Sequence, residues 1–308
     1  MIKVKISHRE LMRHVKFWLF VLPVVLGFLC FSAYPLIRSL TLSFTDAPLI
    51  PDPDYPAQFI GFENFVRIFT IDMTLNFGPA LLYTLIYAVI HVPVIMAISL
   101  GLALILNKKL PCSGFFRVVF YLPALLPAVG MSIMFRWLFT PSSDGFINSW
   151  LQSVGVENPP IWLGPGSGGL GLFTILIMSL WGFGSKMIIF LAALKNVPKD
   201  LYEAASLDGA TAWQQFWKIT LPMISPIFFY NLMLTVIAAL QVFNESLIVG
   251  GTTKETTFGV LYIYNTAYTG ANPRLGYASA LAWVLFLVIG VFTMIQFAIK
   301  KKLAYYEN

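Results

Sequence analysis

EAASLDGATAWQQFWKITLP, residues 203–222, is the most polar run of its length in the second half of an otherwise apolar chain. The runs on either side, GLFTILIMSLWGFGSKMIIFLAAL (171–194) and ISPIFFYNLMLTVIAALQVF (224–243), are each long enough to cross a bilayer, which takes roughly 20 mostly apolar residues. A polar stretch held between two such runs is a loop at a membrane surface. The rest of the chain agrees. Hydrophobic residues make up 58% and charged residues 11% of 308 residues, with a mean hydropathy of +0.77. A soluble domain of this size could not bury so much apolar surface. The reading is an all-α integral membrane protein with six transmembrane helices, at about 17–37, 80–106, 115–139, 170–194, 224–249 and 278–299. Residues 17–299 form one spanning domain, between an N-terminal segment, 1–16, and a C-terminal tail, 300–308.

Basic residues set the orientation. With both termini in the cytoplasm, the inner segments hold Lys3, Lys5, Arg9, Arg13 and Lys16, then Lys108, Lys109 and Arg117, then Lys195, Lys199 and Lys218, then Lys300, Lys301 and Lys302. These are fourteen of the 20 basic residues. The outer loops carry Arg67, Lys254 and Arg274 against Asp46, Asp52, Asp54, Glu63, Asp72, Asp144, Glu157 and Glu255. The positive-inside rule selects this orientation and puts residues 203–222 in the cytoplasm. The asymmetry also accounts for the net charge of +6, so no nucleic-acid partner is required. The apolar run from Phe17 is too long for a cleaved leader, and no small-x-small site closes it. Cys30 in a span and Cys112 in an inner loop are too far apart in topology for a disulfide or a metal site.

The outer loops are long: residues 45–79 lead through Pro and Asp to IGFENF (60–65), and residues 140–169 contain the amphipathic FINSWLQSVGV (146–156) before LGPGSGGLG (163–171). Loops of this length suit docking surfaces or a cap over a cavity. Pro93 lies inside the second span, and Pro123 and Pro127 inside the third. Kinked backbone in a membrane is tolerated where protein or a wet cavity satisfies it, so a pathway through the bundle is expected.

Within the polar loop, Asp200 with Glu203 reads as an Asp-x-x-Glu cap, behind Pro198, which stops the preceding span. Asp208-Gly209 makes the turn that ends this short helix. Thr211 with Gln214 repeats the start signal, and a second short helix runs to Pro222. Eight or so residues are too few for a helix that stands alone, since isolated helices are marginal below about 12–15 residues. A partner surface must hold it: Ala204, Ala205, Ala210 and Ala212 allow close backbone approach, and Leu201, Tyr202 and Leu207 give apolar grip. A DNA-binding helix-turn-helix has this outline but needs basic residues beyond Lys218.

This stretch resembles the EAA motif of the membrane subunits of bacterial ABC importers, in which Glu-Ala-Ala, a glycine six residues after the Glu, and Leu-Pro recur at these spacings. FYLPALLPAVGMSIMFRWLFTP (120–141), WGFGSKMIIFLAALKNVPKDLYEAA (181–205), ALQVFNESLIVGGTTKETTFGVLYIYNTAY (239–268), GYASALAWVLF (276–286) and IGFENF are similar to the sugar-type permeases of the maltose and glycerol-phosphate importer branch. The resemblance covers nearly the whole chain. It implies a type I ABC importer permease fold, with a cytoplasmic coupling helix between spans 4 and 5, in a bacterial or archaeal cell membrane. It implies four kinds of partner: membrane lipid, a second permease subunit, which in this branch is usually a different chain, two cytoplasmic ATPase subunits, and an extracytoplasmic binding protein that delivers the substrate. By motif position, Glu203, Ala204, Ala205, Asp208, Gly209, Leu221 and Pro222 couple to the ATPase, Glu203 facing a basic residue there.

The resemblance also places a sugar cavity among the fourth and fifth spans, with Trp181, Ser185, Thr235, Gln241, Asn244 and Glu245 as candidates. An aromatic face stacks on a sugar ring, while amides and carboxylates take its hydroxyls. Lys186 departs from the pattern, since these permeases more often carry a neutral residue there. A charge in a span costs about 2.5–3.5 kcal/mol on insertion scales, so Lys186 is expected either to face the cavity and a substrate with anionic character or to pair with a carboxylate of the second permease.

The chain carries no ATP site of its own: no G-x-x-x-x-G-K-[ST] occurs, and LGPGSGGLG lacks the lysine and following hydroxyl that hold phosphates and magnesium. ATP and magnesium belong to the ATPase partners, and no cofactor or metal is expected here. The chain has no HExxH pair, and its histidines are His8, His14 and His91. His91, beside Pro93, reads as packed or hydrogen-bonded rather than catalytic. A secondary transporter or channel would share six kinked spans but gain nothing from an EAA loop; a scaffold or intramembrane enzyme would lack an ATPase partner.

Overall fold

The structure, a computed structural model, describes residues 8–51, 53, 56–108, 111–142, 144–250, 253–270 and 272–303. Lys3, Lys5, Lys109, Asp52, Asp54 and the tail beyond residue 303, all used above to read the topology, lie outside them. Helices dominate. Among the described residues, extended pairing is confined to two isolated bridges, Thr45 with Phe59 and Pro48 with Arg274.

Five helical runs are long and apolar enough to cross a membrane: α1 (Lys16–Leu42), α2 (Phe77–Asn107), then further on Gly169–Lys195, Ala212–Leu240 and Leu275–Ile299. A sixth crossing exists if the bent pair α3 (Ser113–Leu125) and α4 (Ala128–Leu138) is counted as one. The remaining labels are α5 (Gly169–Lys195), the short α6 (Lys199–Leu207), α7 (Ala212–Leu240) and α8 (Leu275–Leu303).

Two of the six expected spans differ in form. The third is two helices meeting at 94° rather than one run over 115–139. Pro127 is the cause: the residue before a proline is forced out of the helical region, and Leu126 accordingly takes ψ 141°, followed by Pro127 itself at ψ 133°. The fifth ends at Leu240 instead of 249, and Gln241–Phe243 are non-helical before the chain turns helical again near Ser246. Pro93, by contrast, is absorbed within the 31-residue α2.

The chain packs as two units, one containing the described residues up to Arg67 with Asn265–Trp283, the other Ile68–Tyr264 with Val284 onward. In the first, IGFENF is a folded clamp. Gly61 supplies a φ of +59°, and the buried Asn64 amide donates to the carbonyls of Ser43 at 2.9 Å and Thr45 at 2.8 Å. Phe44 packs against Phe59, Phe62 and Phe65, and the Arg67 guanidinium lies 5.2 Å from the Tyr277 ring centre.

In the second unit the densest packing joins α2 to the end of α5, burying Ile95 and Leu106 on one helix and Met187 and Phe190 on the other. Gly184 lets α5 come against α3: a Cβ there would strike the Phe120 carbonyl. Close approach through small residues is the usual basis of helix packing in lipid, where burial from water is not the driving force. The expected amphipathic piece forms a helix, Phe146–Ser153. Its fully buried Asn148 ties the loop together, donating to the Pro141 carbonyl at 2.8 Å and accepting from the Trp162 indole at 2.6 Å.

Candidate functional site

Two irregular segments of the second unit face a common space. One is the tight turn Trp181–Phe183 inside α5; the other is the break Gln241–Phe243 after α7. Irregular backbone in a spanning region is stable where it lines a cavity, and both segments do. A cavity of about 240 Å³ is walled by Tyr87, His91 and Ile95 of α2, Ser179, Gly182 and Lys186 of α5, Thr235 of α7, and Gln241, Asn244 and Glu245 at the break. A second, of about 220 Å³, is walled by Met131 and Ser132 of α4, by Trp181 and Ser185, and again by Ser179, Gly182 and Glu245. All seven residues expected on the pathway therefore line one or the other, and Glu245 lines both.

Their surroundings differ. Trp181 meets Phe135 edge-on at 6.0 Å and is half exposed, while Ser185 is exposed. Thr235 is buried, and its hydroxyl is already engaged, donating to the Asn231 carbonyl at 2.6 Å with Met96 sulfur 3.9 Å away. Gln241 is exposed; Asn244 and Glu245 are half-buried. Tyr87 and His91 are additions that the sequence reading did not place here. Their rings stack at 5.0 Å with 11° between planes. His91 is packed, as read from sequence, but its Nδ1 has no hydrogen-bond partner. A signal existed: Tyr87, His91 and Ile95 recur every four residues, along one face of a helix.

At the polar loop, α6 begins two residues earlier than the sequence suggested. Pro198, at ψ 132°, is the residue before the helix, and Asp200 sits inside the first turn with no capping bond. Proline's fixed φ preorganises a helix start, and Asp200 there still favours the positive end of the helix dipole. The end of α6 is a Schellman turn: the Ala210 amide donates to the Ala205 carbonyl at 2.9 Å, that of Gly209 to Ser206 at 3.1 Å, and Gly209 takes φ +76°. Thr211 and Gln214 form the expected capping box. The helix they start does not stop at Pro222; it passes through a wide turn, Phe216–Thr220, directly into α7. Leu221 and Pro222 are therefore half-buried residues within a continuous helix. Glu203, Ala204, Asp208 and Gly209 are exposed, Ala205 is half-buried, and Leu207 is 90% exposed. Gln215 donates to the Ser206 hydroxyl at 3.0 Å, linking α6 to α7.

Residues 94–305 fit the model of the binding-protein-dependent transport system inner membrane component family. The chain belongs to that family. It is 38% identical over 295 residues to the probable ABC transporter permease protein YesP of Bacillus subtilis (strain 168), covering 94% of this chain and 91% of that protein. It is 35% identical over 286 residues to the lactose transport system permease protein LacF of Rhizobium radiobacter, covering 91% and 92%. Among solved structures it is similar to a chain of a bacterial ABC transporter involved in the import of the acidic polysaccharide alginate, with a TM-score of 0.80 and 25% identity over 96% of this chain and 99% of that one. The chain is thus a multi-pass membrane permease of an importer, not an enzyme.

Proposed function

We propose that the chain conducts a carbohydrate as one half of an ATP-driven, binding-protein-dependent importer. The observation that carries this reading is the pair of cavities at the break after Leu240, where the half-exposed Trp181 offers a ring face and Gln241, Asn244 and Glu245 offer amides and a carboxylate. That is the chemistry a sugar asks for, and several permeases similar to this chain, among them one for lactose and one for arabinooligosaccharides, are named for sugars. Residues 17–299 act as a single permease domain beside a second, unlike permease subunit, with both chain termini on the cytoplasmic side.

The α6 helix, with the residues after it, is the contact for a cytoplasmic ATPase subunit. Glu203, Ala204 and Ala205 dock; Asp208 and Gly209 hold the turn; Leu221 and Pro222 pass the movement to α7. Two features support this: the exposure of Glu203 and Leu207, and hydrogen bonds that join α6 to α7. Two ATPase subunits supply ATP and magnesium chemistry, and an extracytoplasmic binding protein delivers the sugar.

The test is uptake of labelled oligosaccharide into proteoliposomes holding the complete complex, with the binding protein on the sugar side. Uptake that requires ATP on the ATPase side supports the reading. Uptake driven by an ion gradient without ATP would make the chain a secondary transporter and sink it.

A further inference from the structure

Lys186 is the one cation in the wall of the larger cavity, and His91 stands in the same wall on the facing helix α2. Among the described residues, Lys186 has neither an ion pair nor a hydrogen bond. His91 is 7% exposed, held flat against Tyr87, and its Nδ1 is buried without a partner. Buried polar atoms are almost always satisfied, and this one belongs to a residue of the cavity wall, so a small shift that uncovers it would let a ligand atom satisfy it. Packing explains the His91 ring but not its free nitrogen.

The neighbouring carboxylate does not fill the role. Glu245 lines both cavities, and no ion pair joins it to Lys186. The larger cavity thus holds a cation and a carboxylate left apart. A carboxylate accepts from sugar hydroxyls, together with the amide oxygens of Gln241 and Asn244. An ammonium and an imidazole N–H give what an anion takes. A neutral sugar would use the first group and leave Lys186 unanswered.

We propose that Lys186 and His91 form a subsite for an acidic substituent, a carboxylate, sulfonate or phosphate, on the carbohydrate that passes through the cavity. The proposal rests on the carbohydrate reading above. His91 serves it in the tautomer with the proton on Nδ1, and Tyr87 fixes the ring plane.

The experiment uses the complete complex in proteoliposomes and a panel of probes: galacturonate oligosaccharides, a sugar sulfonate and a sugar phosphate, each beside its uncharged counterpart. At least one acidic probe should enter at about tenfold or more the rate of its counterpart, the factor expected of one charge-assisted hydrogen bond. Lys186→Met should remove that preference with the complex intact on gel filtration, and Lys186→Arg should keep most of it. His91→Phe, which keeps the stack and removes the nitrogen, should weaken it. Uncharged probes entering as fast as acidic ones, unaffected by Lys186→Met, would overturn the subsite and leave the carbohydrate reading standing. Import of no probe of either kind would remove the carbohydrate reading and the subsite with it. Preserved acid preference in Lys186→Met would overturn the subsite and remove Lys186 from the mechanism; a complex that falls apart in it would point to a pair between Lys186 and a carboxylate of the second permease, and the subsite would again be wrong.

Discussion

The hydroxyls of Tyr202 and Thr220 lie 2.9 Å apart, tying the middle of α6 to the first turns of α7 across eighteen residues of chain. A neutral hydrogen bond of this kind contributes about 0.5–1.5 kcal/mol. Tyr202→Phe and Thr220→Val should each lower the ATP hydrolysed in response to substrate without changing membrane insertion, and the double variant should be no worse than either alone. Additive losses in this cycle would mean that the two residues act separately.

Gly209 holds φ +76°, where a side chain is disfavoured by about 1–2 kcal/mol. Gly209→Val should open the Schellman turn and stop transport while the protein still inserts. Gly209→Asn, which tolerates the left-handed region, should retain part of it. Equal activity in the two variants would show that the turn does not transmit movement.

Glu203 is exposed, so reversing its charge leaves the fold alone. Glu203→Lys should abolish substrate-stimulated ATP hydrolysis and weaken co-purification of the ATPase, with an unchanged helical spectrum. Normal stimulation in this variant would remove Glu203 from the docking surface.

Two glycines of α5 make opposite forecasts. A Cβ on Gly184 would meet the backbone of Phe120 and Tyr121, whereas none of the atoms beyond the local helix lies within 4 Å of a Cβ on Gly182. Gly184→Ala should therefore destabilise the protein by about 1–3 kcal/mol, the usual cost of overpacking, and Gly182→Ala should not. Thermal unfolding in detergent compares them directly.

A single cysteine in place of Ser153, exposed at the end of the Phe146–Ser153 helix, should react with an impermeant thiol reagent added outside intact cells. One in place of Ser206 should react only after the membrane is opened. Labelling of the second from outside would invert the topology and end the coupling role.

Much of this molecule could be read from its residues because membrane spans and turns have strong local causes. Apolar length marks a crossing, and Thr211 with Gln214 marks a helix start whether or not a neighbour is present. Asp200 was read as a cap because the side chain suits one, but Pro198 two residues earlier already fixes the start. The 94° bend has its cause in Pro127, though a proline gives no angle, as the unbroken α2 around Pro93 shows. The break at Gln241 has no proline or glycine beside it and had no local signal at all. Tyr87 and His91 were half legible: their four-residue spacing puts them on one face, but α2 is apolar on every side, so periodicity could not say that this face meets the cavity.

The halt of α7 at Leu240 has one more effect. A helix that stops leaves the carbonyl oxygens of its last turn without the donors that the next turn would bring, and among the described residues only that of Ala238 is taken up again, by the Gln241 amide at 3.2 Å. These acceptors belong to the main chain. Replacing side chains around them can reshape the rest of the cavity wall, to which Ala238 and Ala239 belong, but it cannot delete them, so these acceptors persist whatever side chains stand nearby.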